Sequence, residues 1–178
     1  MEDIKLEKNY VALALNYTFL NDDLRIIEIG AIKVINGIRK TTFFSLVEPE
    51  KEEGLDFLIY PDFSDYSGLR DEDIKKGIIE DEAKKILYKF IGDLPIVLYN
   101  DPYLIYYLKR NNKNFKNKFI DLVEPTKRTL HKEFVPSPYE AFDKLKIDFT
   151  IKNVNRAFET VEGLIKLYEK LDERGKLC

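Results

Sequence analysis

The chain has one cysteine, and it is the final residue, Cys178. A single thiol forms no internal disulfide and no Cys-type zinc site, the pattern expected of a protein kept in a reducing cytoplasm. Only one histidine is present, His131. Any mechanism that needs two imidazoles, or a histidine-rich metal cage, is therefore excluded, and beside Lys132 this one reads as a surface residue. No stretch approaches 18 uninterrupted apolar residues, so no membrane span is expected. The charged start MEDIKLEK lacks the apolar run of a signal peptide. A large excess of positive charge is missing too: the net charge is −3, which argues against a protein that coats nucleic acid by charge alone.

What is present is a globular composition, 44% apolar and 34% charged over 178 residues, which fits one domain spanning the chain. The charge is unevenly placed. Between residues 109 and 132, Lys109, Arg110, Lys113, Lys116, Lys118, Lys127, Arg128 and Lys132 face only Asp121 and Glu124, a net +6 against −9 elsewhere. The segment reads either as a phosphate-binding lip or as a solvated, Asn-rich connector.

In YVALALNY, Val11, Leu13 and Leu15 alternate with Ala12, Ala14 and Asn16, the period of a strand. A second strand, RIIEIGAIKVI, follows a polar turn, and Asn36-Gly37 is a hairpin signal leading to a third strand ended by Pro49. Residues 50–70 read as irregular. RDEDIKKGIIEDEAKKILYKFIGD reads as a helical region, with Ile74, Ile78, Ile79, Ala83, Ile86, Leu87 and Phe90 at helical spacing and Gly92 as its stop. LPIVLYN is a short buried strand. Asp101 and Pro102 are the cap and first residue of a helix. KFIDLVEP reads as another short strand or extended piece and SPYEAFDKLKID as a short helix. The last helix begins near Asn155, with Ala157, Val161, Leu164, Ile165, Tyr168 and Leu171 on one stripe. A meander followed by alternating helices and strands is α/β with a mixed sheet.

In order along the chain, RIIEIGAIKVINGI, SLVEPE, SGLRDEDIKKG, IVLYNDPYLIYYLKR, IDLVEPTKR and IDFTIKNVNRAFETVEGLIKLYEKL resemble the motif-bearing segments of one family. It is the DnaQ-like 3′–5′ exonucleases of the DEDDh type, and the resemblance covers roughly residues 8–172. It implies a ribonuclease H-like fold: a five-stranded mixed sheet, with a three-strand antiparallel meander joined to parallel strands and flanked by helices. The family's chemistry is two-metal hydrolysis of a phosphodiester by magnesium or manganese ions held on four carboxylates, with a histidine as base.

Position by position, those groups are replaced. Ala14 and Asn16 stand at the acidic pair of the first strand, Leu104 at the third acid, Asn155 at the histidine and Thr160 at the fourth acid. Phe19 stands where a glycine usually follows the first strand. Such a set is not expected to hold divalent metal or to hydrolyse anything, and no other cofactor is implied. A rebuilt site from Glu28, Asp101 and Glu159 is the alternative for activity. Glu28 and Asp121 occupy positions that are acidic in the family and read as structural. The resemblance places Tyr17, Phe19, Tyr99 and Tyr103 around the cleft, where they either fill it or stack on bases. Together with Lys109, Arg110, Lys113, Lys127 and Arg128 they are the candidates for binding single-stranded nucleic acid. A protein partner is the other expectation, for a degenerate domain acting as an interaction or structural module.

Overall fold

The computed structural model describes residues 7–20, 23–50, 68–149 and 156–173. Three long strands come first: β1 (Tyr10–Leu20), β2 (Asp23–Ile35) and β3 (Ile38–Glu48). Asn36 and Gly37, both with positive φ, make the turn between β2 and β3, as the two-residue hairpin rule requires. Then come α1 (Asp71–Ile74), β4 (Ile78–Ile79), α2 (Glu80–Ile91), β5 (Ile96–Leu98) and α3 (Pro102–Asn111). The described chain closes with β6 (Phe119–Asp121), α4 (Val123–Leu130), α5 (Pro138–Lys144) and α6 (Ala157–Glu173). The strand order is β4-β3-β2-β1-β5-β6, antiparallel through the meander and parallel for β4, β5 and β6.

The expected mixed sheet and meander are there, with two differences. The sheet has six strands rather than five, because Ile78 and Ile79 pair with Val47 and Glu48 instead of continuing a helix. Gly77 makes this break possible: a Cβ there would lie 2.6 Å from the Leu46 carbonyl carbon and oxygen. Finally, KFIDLVEP does not stay extended. It turns at Leu122 into α4, with Pro125 in the first helical turn, where a missing N–H costs nothing.

Helices cover both faces of the sheet. Val11, Leu13 and Leu15 pack against Ala83, Leu87 and Ile91 of α2 and Leu104, Tyr107 and Leu108 of α3. Ala12 and Ala14 lie against Val161, Leu164, Ile165 and Tyr168 of α6. The alternation in β1 is thus large on one side and small on the other, and the small side is where α6 comes closest. Gly30 on β2 sets that approach, since a Cβ there would sit 2.3 Å from the Ala157 carbonyl oxygen. The start of α6 is held directly over β2, beside Glu28.

Candidate functional site

The family's acidic pair would lie on the α6 side of β1, and the sequence folds so that positions 14 and 16 do face it. Asn16 pairs across the sheet with Glu28, and the next pair is Tyr17 with Ile26, so Ile27 is the extra residue of a β-bulge. Bulges of this kind re-aim side chains. Here the bulge on β2 keeps Glu28 beside Asn16 on the α6 face while bringing Ile26 to the opposite core, where Tyr17, following Val11, Leu13 and Leu15 in the alternation of β1, joins the α3 cluster.

Glu28 is the centre of the arrangement. It is 3% exposed. Asn16 Nδ2 donates to its Oε2 at 2.7 Å, Arg156 Nε to its Oε1 at 2.7 Å, and the Ala157 backbone N–H to its Oε2 at 2.9 Å. A buried carboxylate with three donors, one of them a guanidinium, is a satisfied anion. It also caps α6, since negative charge at a helix N-terminus is favourable. Its lone pairs are committed to the fold, in line with the structural role read from the sequence. Arg156 was missed by sequence reasoning. It lies 128 residues from its partner, and nothing local announces the pair.

Two of the other positions that the resemblance matches to the catalytic groups are engaged within the fold. Leu104 is 1% exposed in the core with Leu13, Leu15 and Tyr107. The Thr160 hydroxyl donates to the Arg156 carbonyl oxygen at 3.0 Å, a bond within its own helix. Asn155 lies outside the described residues. Between β1 and α6, a cavity of about 80 Å³ remains, lined by Ala14, Asn16, Tyr99, Asp101, Thr160 and Leu164 among others. That volume suits two or three waters at ~30 Å³ each; ligand pockets run to about 300 Å³ and more.

Asp101 is the one carboxylate lining this cavity. Its Oδ1 accepts the Leu104 N–H at 2.8 Å, capping α3, and its Oδ2 accepts the Tyr17 hydroxyl at 3.1 Å. Burial raises its pKa above the ordinary aspartate value, against the lowering effect of these bonds. A raised carboxylate pKa means that ionisation opposes folding at neutral pH, and the penalty shrinks as pH falls through the raised value. Asp101→Asn, which keeps an acceptor for Leu104, is therefore expected to match or exceed the wild-type melting temperature at neutral pH. The gain should disappear in acid, and thermal melts across pH check it.

Asp121 accepts the N–H groups of Asn100 and Val123, both at 3.0 Å, and so ties β5 to the start of α4. Glu28, Asp101 and Glu159 do not assemble. Among the described residues no three Asp, Glu, His or Cys side chains come together as a metal site. The two-ion centre implied by the resemblance does not fit this donor set: a methyl, an amide spent on Glu28, a buried isobutyl and a helix-bonded hydroxyl.

The aromatic and basic candidates divide. Tyr17 and Tyr99 fill: the first is bonded to Asp101, and the second donates to the Pro136 carbonyl oxygen at 2.6 Å. Phe19 and Tyr103 stay open, 42% and 55% exposed, with ring centroids 6.2 Å apart. They line an open hollow of about 400 Å³ with Leu24, Pro102, Tyr106 and Arg110, of which Leu24, Tyr106 and Pro102 were not among the sequence candidates for binding. In the basic segment, Arg110 pairs with Asp23, Lys118 with Glu7, Lys127 with Glu124 and Lys132 with Glu140. Lys109 lies 5.6 Å from the Phe119 ring centroid, while Lys113, Lys116 and Arg128 are exposed. Glu124 is already counted in the +6, so Asp23, Glu7 and Glu140 offset about half of it. His131 is exposed, at the left-handed C-cap of α4.

Several solved structures similar to this one are nucleases. A cell-death related nuclease, CRN-4, matches with a TM-score of 0.73 at 12% identity, over 94% of this chain and 64% of that one. A 3′-exonuclease that recognises the histone mRNA stem-loop matches with a TM-score of 0.69 at 12% identity, over 93% and 82%. Exonuclease X, in complex with 5′-overhanging duplex DNA, matches with a TM-score of 0.64 at 15% identity, over 93% of both chains. The fold is the ribonuclease H-like exonuclease fold. No family model matches the sequence, and no curated protein matches it. At such identities the likeness speaks for the fold, and function has to be argued from the site. Among the described residues no helix is long and apolar enough to cross a membrane.

Proposed function

We propose that this chain is an exonuclease-fold domain, a single unit over residues 1–178, whose inherited hydrolytic site has been lost and which works as an interaction or structural module for another protein. The observation that carries the reading is the state of the acid positions. Leu104 belongs to the core, Asn16 is bound to Glu28, and Glu28 is saturated by three donors. Among the described residues no anionic cluster is present to offset the dehydration of a small divalent cation. A ligand that binds only the folded state raises the melting temperature. Magnesium or manganese is therefore expected to leave the melting temperature unchanged, whereas a metal-specific rise of several degrees would count against the proposal.

A second reading rests on the hollow of Phe19, Tyr103 and Tyr106 beside Arg110. Open rings next to a guanidinium suit the stacking of unpaired bases, without metal. Two of the structural neighbours are described with RNA or DNA. Titration of labelled single strands at rising salt separates the readings, because phosphate contacts make affinity fall steeply with salt.

A further inference from the structure

An open hollow of about 450 Å³ lies beside the Asn36–Gly37 turn, where β1 begins and α6 ends. It is remote from the cleft. Tyr10 comes six residues before Asn16, roughly 20 Å along the strand at ~3.4 Å per residue. Tyr10 and Tyr168 form the floor, with their rings edge to face at 4.8 Å. The Tyr168 hydroxyl is satisfied by the Glu7 backbone, accepting its N–H at 3.1 Å and donating to its carbonyl oxygen at 3.3 Å. Tyr10 is different. It is 3% exposed and lines the hollow, yet its hydroxyl has no hydrogen-bond partner among the described residues. Buried polar groups are normally paired, so an unmatched hydroxyl in the wall of a hollow points to a ligand.

The charge around this hydroxyl says what kind. Glu7, Glu169 and Asp172 line the hollow against one cation, Lys8, a net −2 from these side chains. Glu7 is paired with Lys118 at 3.4 Å, whereas Glu169 and Asp172 have no ion pair among the described residues. Three residues apart on α6, these two share one side of its last turn. Glu169 is also close enough to Tyr10 to add to the rise in phenol pKa that burial causes. The acids do not converge on a point, since among the described residues no three such groups come together as a metal site. Carboxylates spaced around an aromatic floor suit a cation whose charges are spread along an alkyl chain, rather than a single ion.

We infer that this hollow binds a linear polyamine, with one ammonium group donating to the Tyr10 hydroxyl oxygen beside Glu169 and Asp172 and another reaching Glu7. The alkyl links lie over the tyrosine floor, and aromatic rings attract ammonium groups as well. Neither the cleft nor the hollow of Phe19 and Tyr103 takes part. The inference is therefore independent of whether the chain hydrolyses anything.

Calorimetric titration of spermidine into the full chain tests it, with magnesium at matched ionic strength as the control for diffuse charge. One spermidine per chain is expected to bind saturably. Tyr10→Phe removes the hydroxyl alone and should weaken binding about tenfold, the worth of a hydrogen bond to a charged group. Glu169→Gln and Asp172→Asn change exposed side chains and should each weaken it about threefold. Glu72→Gln, an exposed acid on α1, should change nothing, and circular dichroism checks that every variant keeps the fold. An absence of saturable binding overturns the inference. So does a heat that magnesium reproduces, or an affinity that Tyr10→Phe, Glu169→Gln and Asp172→Asn all leave intact.

Discussion

Glu28→Ala is expected to cost about 3 kcal/mol of stability, the lower end of the range for breaking a buried ion pair, read as a fall in the urea midpoint at unchanged slope. The substitution leaves three donors without their acceptor: the Asn16 amide, the Arg156 guanidinium and the Ala157 N–H at the start of α6. Arg156 is 29% exposed and can turn toward water, which holds the loss to the low end. Asn16 and Ala157 are fixed by the sheet and helix and have less freedom to recover. Glu28→Gln should be nearly as harmful, because one acceptor oxygen becomes an NH₂ group among donors. A carboxylate kept for chemistry behaves differently, since removing it from a cluster of acids relieves repulsion and tends to stabilise. A neutral or stabilising outcome would mark Glu28 as a functional acid rather than a structural one.

Leu104→Asp, which puts a carboxyl where the resemblance implies the third acid, is expected to be worse. The lost burial alone is worth ~2–5 kcal/mol for a leucine truncated in a core, and the new carboxyl must either be buried charged or take up a proton. We expect at least about 3 kcal/mol of destabilisation at neutral pH. The sign with pH follows from linkage: the buried carboxyl has a raised pKa, so its charge penalty fades as pH falls. Melts at neutral and mildly acidic pH check both points. A variant as stable as wild type would mean that position 104 still opens onto a polar cleft.

These expectations rest on side-chain environments that the sequence shows only in part. The meander was legible because each of its strands is long, apolar and ended by a turn signal, above all Asn36-Gly37. Asp101 and Pro102 announced α3, and the stripe from Ala157 to Leu171 announced α6. The region from Asp71 to Ile91 was misread because Ile74, Ile78 and Ile79 suit a helix as well as a helix–strand–helix; the deciding fact is the approach of Gly77 to Leu46, a contact across 31 residues that no local pattern reports. α4 was missed because Pro125 reads as an interruption unless the helix is known to start two residues earlier. At the site, the motif spacing names Ala14, Asn16, Leu104, Asn155 and Thr160 as the positions that the resemblance matches to the family's catalytic groups. What they do was not legible: the commitment of Asn16 to Glu28, the ion pair with Arg156 and the merging of Leu104 into the core are all long-range. Tyr17 and Tyr103 illustrate the same limit: their rings lie 6.3 Å apart, yet one is partly buried and bonded to Asp101 while the other is 55% exposed.

The small cavity and the three donors bound to Glu28 are what the proposed loss of hydrolysis rests on. Restoring Ala14→Asp with Asn16→Glu would place two acids beside Glu28 and remove the amide that it accepts from. Repulsion, not metal binding, is the expected first result of that double change, unless a divalent cation is supplied to offset it. Hydrolysis of 5′-labelled single-stranded DNA and RNA by the wild-type chain, with manganese and with EDTA, tests the central claim most directly, with the double variant run alongside. The account predicts intact substrate in both conditions for the wild type. A ladder of shortened products in manganese that vanishes in EDTA would contradict it and mean that a metal site operates in this chain.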